Sequence, residues 1–365
     1  MARIAVLMSG GIDSSAAALM LKQAGHDVMG LTAKMWSGAS KCCGDDDIYS
    51  AQRVCHNLGI PHRVIDLTRD FRDHVVAGFV GSYLEGLTPN PCAACNRDIK
   101  FGKMFDAALG FGFDRVASGH YAALAEIGGR VVLAEPRDKR KSQIYFLSLV
   151  RPEVLPRLEF PLGASYKRDI IEMVRSQGLP ARKSESQDLC FVTSGRYDEV
   201  LRAHCADPGQ GDVLDADGRV VARHKGHYAY TVGQRFGLRG KRYYVTRKCA
   251  AANQITVGCR ERAMARAITA RSVNHFLDVD AGPDSVVFVK YRYNSAAVRG
   301  RLTKLPGERI RVLLDEPCFA PAPGQIVACY QDEHIVCGGI IEEPPDWGRE
   351  TNQDQVVPSR SEEMG

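Results

Sequence analysis

The sequence predicts a three-part α/β protein: a parallel-sheet α/β domain, a small central domain, and a C-terminal all-β, barrel-like domain. Three observations carry this. Over the first 120 residues or so, strand-like apolar runs alternate with helix-like segments, the pattern of a parallel sheet covered on both faces. Near residue 210 the pattern changes, with a hairpin signal at Asp215-Ala216-Asp217-Gly218. Beyond about residue 265 come short alternating strands, separated by Pro306-Gly307 and Pro323-Gly324. A chain of 365 residues has room for two or three domains. The expected divisions are 1–200, 201–264 and 265–343, with a polar, Pro-containing tail at 344–365 expected to be disordered.

Each element has its own signal. Residues 3–8 are an apolar strand, residues 9–13 a small turn-prone loop, and residues 14–23 a helix that Gly25 is placed to end. A strand at 27–33, a helix at 48–58 and a strand at 61–67 follow. Residues 101–109 read as helix, and 115–118 as a strand ending at Gly119-His120. The loops 9–13, 33–36 and 119–121 all fall at carboxyl ends of strands, where open α/β sheets bind ligands. In the last domain strands are expected at 286–293, 310–314, 326–330 and 335–340, and no internal repeat is present.

Composition narrows the class. Apolar residues make up 45% and charged residues 25%, as in ordinary globular proteins, and the net charge of +5 permits an anionic partner without requiring one. The run Arg137-Asp138-Lys139-Arg140-Lys141 is a local basic cluster that, from charge alone, reads first as a solvated loop. No signal-peptide pattern opens the chain and no stretch approaches the ~20 apolar residues of a membrane span, so a cytosolic protein without a membrane partner is expected. Twelve cysteines in a reducing compartment point away from a disulfide framework. Cys249, Cys318 and Cys329 read as small core residues. Cys42 and Cys43, beside the acidic run at 45–47, read as part of a mobile loop.

Ser9-Gly10-Gly11-Ile12-Asp13-Ser14-Ser15 stands between a strand and a helix. Two glycines allow close approach of backbone to ligand, and a helix start offers unpaired N–H groups and partial positive charge to a pyrophosphate. The bland alternative is a glycine turn capped by Ser and Asp. The lysine of a P-loop NTPase is missing. The segment resembles instead the Ser-Gly-Gly-x-Asp-Ser loop of PP-loop ATP pyrophosphatases, which adenylate a substrate and release pyrophosphate. On that resemblance Leu7, Met8, Ser9, Gly10, Gly11, Ile12, Asp13 and Ser14 would bind ATP, and Met35 and Gly119 are positional candidates for the adenine pocket.

Three cysteines stand in unusual surroundings. Thr88-Pro89-Asn90-Pro91-Cys92-Ala93-Ala94-Cys95-Asn96 is a proline-braced Cys-x-x-Cys loop, and Cys190 lies in Glu185-Ser186-Gln187-Asp188-Leu189-Cys190-Phe191. A nucleophilic cysteine needs partial exposure and nearby positive charge, which Arg97, Lys100 and Lys183 could supply. The other reading of Cys-x-x-Cys is a zinc half-site, for which no second pair is evident.

Taken with residues 141–147 and the long segment Gly-His-Tyr-Ala-Tyr-Thr-Val-Gly-Gln-Arg-Phe-Gly-Leu at 226–238, these motifs resemble the tRNA-specific 2-thiouridylase family in the expected order over about residues 2–343. The resemblance implies a PP-loop fold of the adenine nucleotide alpha hydrolase type and synthesis of 2-thiouridine at the tRNA wobble position. It implies ATP and Mg2+ as cofactors and a protein sulfur donor as partner. Cys190 would carry the persulfide, with Cys95 as the second cysteine, forming a transient disulfide. Asn90, Pro91 and Cys92 match the segment that touches the target base. His120, Lys141, Ser142, Gln143, Arg292, Tyr293 and Gln325 match positions that contact tRNA.

Two departures stand out. Cys92 occupies the place of an Asp taken as general acid/base in the commoner pattern, and Ser142 that of another Asp. A thiol titrates near 8.5 and a carboxylate near 4, so the proton-transfer role does not carry over. Cys92, Cys95 and Cys190 could together hold a [4Fe–4S] cluster, giving an iron–sulfur variant of the same thiolation. Rival readings are a PP-loop ligase acting on a small molecule, which leaves the cysteine loop unexplained, and a non-enzymatic RNA-binding protein, which leaves the ATP loop unexplained.

Overall fold

The computed structural model describes residues 1–36, 44–181, 189–192, 197–204, 208–238, 240–278 and 285–342. Cys42, Cys43, Lys183, Glu185, Ser186, Gln187, Asp188 and the tail from 344 lie outside the described residues.

The first strand, β1 (Arg3–Leu7), is apolar because it is central: Ile4, Ala5 and Val6 are completely buried. Helix α1 (Ile12–Gln23) follows the loop. It ends where Gly25, at φ +82°, donates to the Lys22 carbonyl and His26 donates to the Leu21 carbonyl, the paired bonds of a left-handed glycine stop. Then come β2 (Asp27–Lys34), α2 (Asp45–Leu58) and β3 (His62–Asp66). Helix α3 (Thr68–Phe71) passes through a π-helical stretch, Arg72–Val76, into α4 (Ala77–Leu84). Helix α5 (Pro91–Ala94) passes through another, Cys95–Lys103, into α6 (Met104–Gly110).

Next are β4 (Arg115–Ser118), the hairpin β5 (Ala123–Ile127) and β6 (Arg130–Ala134), α7 (Ile144–Leu147), β7 (Leu158–Glu159), α8 (Lys167–Ser176) and α9 (Tyr197–His204). The first sheet has the order β3-β2-β1-β4-β7 and every pairing is parallel. Its order reverses between β1 and β4, so the crevice beyond their carboxyl ends is the ligand position of a doubly wound sheet.

Five strands make the central domain: β8 (Gly211–Leu214), β9 (Val220–His224), β10 (Arg235–Leu238), β11 (Lys241–Cys249) and β12 (Gln254–Gly258), in the order β10-β11-β12-β8-β9. The hairpin expected at 215–218 joins β8 to β9, with Gly218 at φ +80°.

The last domain contains β13 (Met264–His275), β14 (Val286–Lys290), β15 (Val298–Leu305), β16 (Arg309–Phe319), β17 (Ile326–Gln331) and β18 (His334–Ile341). Because β13 pairs with both β16 and β18, six antiparallel strands close into a barrel. Hairpin β5–β6, which the sequence reading did not single out, leaves the first domain's own sheet and meets the barrel at His334–Ala134. Its turn is Gly128-Gly129, both at positive φ, the Gly-Gly signal of a two-residue hairpin. The barrel is tied to the first domain again by the Tyr145 hydroxyl, which donates to the Ile326 carbonyl at 3.0 Å.

Candidate active site

The loop after β1 is built for close contact. Gly10 has φ +72°, and a Cβ there would meet the Asp47 carbonyl oxygen at 2.7 Å and Ser50 Cβ at 2.8 Å on α2. Only glycine fits. Ser50 Oγ donates to the Gly10 carbonyl at 3.0 Å, and Ser14 and Ser15 hydroxyls donate to the Gly11 carbonyl at 3.1 and 2.8 Å. Ser9 N donates to Ser14 Oγ at 3.2 Å. Gly11 stands at the N-cap of the 12-residue helix α1 and offers no side-chain cap, so the first N–H groups of the helix remain directed at the crevice. Gly119, at the end of β4, is also forced: a Cβ would lie 2.6 Å from Asp13 C and Ser14 N. Its place is as a support of the phosphate loop. Met35 is 4% exposed and belongs to the main core cluster, together with Phe71 and Cys95.

Asp13 is held by groups that sequence reading missed. Lys167, at the start of α8, places its Nζ 2.7 Å from Oδ1 and 2.8 Å from Oδ2. The Tyr121 hydroxyl donates to Oδ1 at 3.1 Å. Lys167 is nearly buried and its ammonium lies 5.6 Å from the Tyr121 ring centroid. A lysine ammonium thus reaches the loop from 154 residues away in the sequence. The only sequence signal was a lysine opening an amphipathic helix whose Ile170 and Val174 are buried.

The cysteine loop is positioned from both sides. Asn90 caps α5, accepting from Ala93 N at 3.1 Å, with Pro91 pre-set at the first helical position. Thr88 N donates to the Pro323 carbonyl at 2.7 Å, and Gln325 Nε2 reaches the Pro89 carbonyl at 3.5 Å. The barrel turn at 323–325 thus clamps the start of the loop. Cys92 is exposed, Cys95 is buried and Cys190 is intermediate. Cys95 belongs to the main core cluster and Cys190 packs against the same cluster. Phe191 anchors Cys190 there, with its ring edge-on to Phe79 at 5.2 Å and to Phe71 at 6.0 Å. Burying such a ring contributes roughly 2–3 kcal/mol. Of the cations expected near these thiols, Arg97 is spent on Asp98, with Nε–Oδ1 at 2.7 Å and Nη2–Oδ2 at 2.8 Å.

The residues matched to RNA contact are not all surface groups. His120 packs against the rings of Phe101 and Phe160, which also touch each other, with its Nδ1 2.8 Å from Ser118 Oγ. Burial, then the charge of Lys100, hold its pKa well below the ordinary value, so it is a neutral imidazole at pH 7. Ser142 is buried. Gln143 Oε1 accepts from Tyr121 N at 2.8 Å. Arg292 is intermediate in exposure and donates to the Ala320 carbonyl. Tyr293 is 37% exposed and its ring lies 4.6 Å from that of Phe146, whose carbonyl accepts from Asn96 beside Cys95. Lys139 and Arg140 are exposed on a 3-10 turn with half-buried Lys141, and Lys139 pairs with Glu333.

Among the described residues no group of three His, Cys, Asp or Glu side chains could hold a metal ion. Among the described residues Mg2+ therefore has no all-protein cage. Asp13 is the one carboxylate in the phosphate loop, so Mg2+ there would depend chiefly on oxygens of the nucleotide. Among the described residues no helix is long and apolar enough to cross a membrane.

The family model described as tRNA methyl transferase HUP domain matches residues 2–194. A tRNA methyl transferase PRC-barrel domain matches 198–259, and an aminomethyltransferase beta-barrel domain matches 265–341. A protein of Acidithiobacillus ferrooxidans, named tRNA-specific 2-thiouridylase MnmA, is 38% identical over 343 residues, covering 92% of this chain and 97% of its own. Proteins of the same name from Chloroflexus aurantiacus (40% over 359 residues, 94% and 99% covered) and Desulforudis audaxviator (39% over 347 residues, 93% and 98% covered) are similarly related.

Proposed function

The chain belongs to the tRNA-specific 2-thiouridylase family and is an enzyme of that family, and on that premise we propose that it thiolates C2 of the wobble uridine of tRNA in an ATP-dependent reaction run by Cys190 and Cys95. ATP lies with its phosphates on the N–H groups at 10–14. The C2 oxygen of the uridine attacks the α-phosphorus and pyrophosphate leaves, converting a poor leaving oxygen into AMP. Mg2+ bound to the phosphates would neutralise charge that develops there. A protein donor loads Cys190 with sulfur as a persulfide, whose terminal sulfur attacks C2 and displaces AMP. The Cys95 thiolate then attacks Cys190 Sγ, the S–S bond breaks toward the base, and 2-thiouridine is left with a Cys95–Cys190 disulfide. An external dithiol must reduce that disulfide before the next turnover.

What supports this order of roles is exposure and shared packing. Cys190 is the accessible member, reachable by a donor protein, and Cys95 is the buried one. Both border one apolar cluster. Cys92 is exposed in the first turn of α5, between the capping Asn90 and buried Cys95, where a flipped uridine could meet it. Exposed Arg140 and Tyr293 offer a phosphate contact and a stacking face. This chemistry belongs in the reducing cytosol. Nucleoside mass spectrometry of tRNA from a strain lacking the gene tests it: 2-thiouridine should vanish and return on complementation, and its persistence would overturn the reading.

A further inference from the structure

We propose that the segment 138–143 is a bracket that couples RNA docking on its basic turn to the state of the Asp13–Lys167 pair, with Tyr121 as a positioning residue. The proposal rests on the reading above, in which RNA meets the basic turn and ATP meets the phosphate loop.

The two ends of this short segment reach the two groups that hold Asp13. At one end, Asp138 Oδ2 accepts from the backbone N of Lys167 at 3.1 Å, at the first turn of α8. At the other, Gln143 and Tyr121 exchange a pair of bonds: Tyr121 N donates to Gln143 Oε1 at 2.8 Å, and Gln143 N donates to the Tyr121 carbonyl at 2.9 Å. Lys167 and Tyr121 then converge on the Asp13 carboxylate at 2.7–2.8 Å and 3.1 Å. Between the two anchors lie Lys139, Arg140 and Lys141, in a single 3-10 turn. Tyr121 is 2% exposed and Lys167 is 9% exposed, so neither can shift without its neighbours.

A coupling needs an element with two arrangements. The Lys167 ammonium is that element. Here it sits on both oxygens of Asp13. A triphosphate on the loop brings competing negative charge within the same crevice, and the ammonium must then be shared or exchanged. Tyr121 keeps one hydrogen bond on Asp13 whichever side Lys167 takes. A force on the basic turn from an RNA backbone acts on the Lys167 backbone through Asp138 and on the Tyr121 backbone through Gln143. RNA binding therefore biases the ammonium, and by linkage ATP biases RNA binding by the same factor.

The test measures, with the full chain, the dissociation constant of bulk tRNA with and without a saturating non-hydrolysable ATP analogue. The readout is the ratio of the two, which cancels any change in either binary affinity. Wild type should show a ratio of about 5 or more. Tyr121→Phe keeps the ring in its seat and both backbone bonds to Gln143 while removing the route through the hydroxyl, and should lower the ratio by about twofold or more. Gln143→Leu should do the same, whereas Gln143→Glu, which keeps the acceptor for Tyr121 N, should retain the coupling. If Tyr121→Phe proves poorly folded, the Leu and Glu pair at 143 decides alone. An undiminished ratio in Tyr121→Phe and Gln143→Leu overturns the proposal, as does a wild type that binds both ligands independently. A wild type that binds neither would bring down the underlying ATP and tRNA reading.

Discussion

Lys167 grips both carboxylate oxygens of Asp13, at 2.7 and 2.8 Å, across a separation of 154 residues. The pair is nearly closed to water on the lysine side, with side-chain exposures of 11% and 35%. Removing one member leaves a poorly solvated charge, which costs more than the pair contributes. It also removes from the crevice the cation that a nucleotide would need. We therefore expect Lys167→Met to lose pyrophosphate release by about 100-fold or more while retaining tRNA binding. Asp13→Ala and Ser9→Ala should be impaired in the same assay. Full turnover in Lys167→Met would show the pair to be structural only.

The alternating helices and strands of the first domain were legible because each strand is buried on both faces and reads as a plain apolar run, as in Ile4-Ala5-Val6. The barrel was legible as alternation, although β13 and β15 escaped notice. Arg271 and Ser272 interrupt β13, where the register to β18 shifts, and β15 carries Arg299, Arg301 and Thr303 on its outer face. The phosphate loop and both cysteine motifs were legible as motifs. Lys167 and Tyr121 were not, because their meaning comes from contacts with Asp13 made 154 and 108 residues away. The bond between the Gln143 amide oxygen and Tyr121 N was not legible either, because it joins residues 22 apart in the sequence.

The exposure difference between the two sulfur-handling cysteines has a kinetic consequence. Cys190, intermediate in exposure, should accept sulfur from a donor, and Cys190→Ser should abolish loading. Cys95→Ser should load normally, support at most one turnover, and accumulate persulfide on Cys190. Peptide mass spectrometry after a single donor pulse reads this directly. A persulfide on Cys95 alone would reverse the roles.

Cys92 is exposed and follows Pro91 in the first turn of α5, so a carboxylate in its place would face solvent beside a helix N-terminus and be well tolerated. Cys92→Asp should thus keep the fold, and the protein should keep or gain thiolation activity with a persulfide donor. A cluster enzyme would lose iron and most of its activity on the same change. Iron analysis of anaerobically purified protein, alongside activity, separates these outcomes.

On the RNA side the structure distinguishes exposed cations from engaged ones. Arg140 is exposed, Lys139 is paired with Glu333, and Arg292 donates to the Ala320 carbonyl and lies 5.9 Å from the Phe319 ring centroid. Arg140→Ala should weaken tRNA binding by about 1 kcal/mol and lower the salt slope by about one. Arg292→Ala should also lower thermal stability, because it leaves a buried carbonyl without its donor. Filter binding across a salt series, with melting curves, checks both; an unchanged slope in Arg140→Ala would remove it from the footprint.

The last prediction concerns Lys248 on β11, a buried amine that the proposed chemistry does not use. It is 7% exposed, its Nζ has no hydrogen-bond partner, and the ammonium lies 5.3 Å from the ring centroid of Tyr83 on α4. Burial lowers its pKa from 10.5 to about 7. The sign follows from linkage. Between those values the unfolded chain binds a proton that the folded one does not, so stability rises with pH across that interval; it falls as pH drops from 10.5 and reaches its floor below about 7. Methionine keeps the aliphatic stem and removes the amine. Lys248→Met should therefore be more stable than wild type by about 1–3 kcal/mol at pH 6, with the advantage shrinking toward pH 10. Urea unfolding at both pH values measures the gap. A small cavity of about 20 Å³, whose lining includes Glu85, Val232, Arg247, Lys248 and Pro323, has room for roughly one water. If the gap is the same at both pH values, the ammonium is solvated there and Lys248 carries no desolvation penalty.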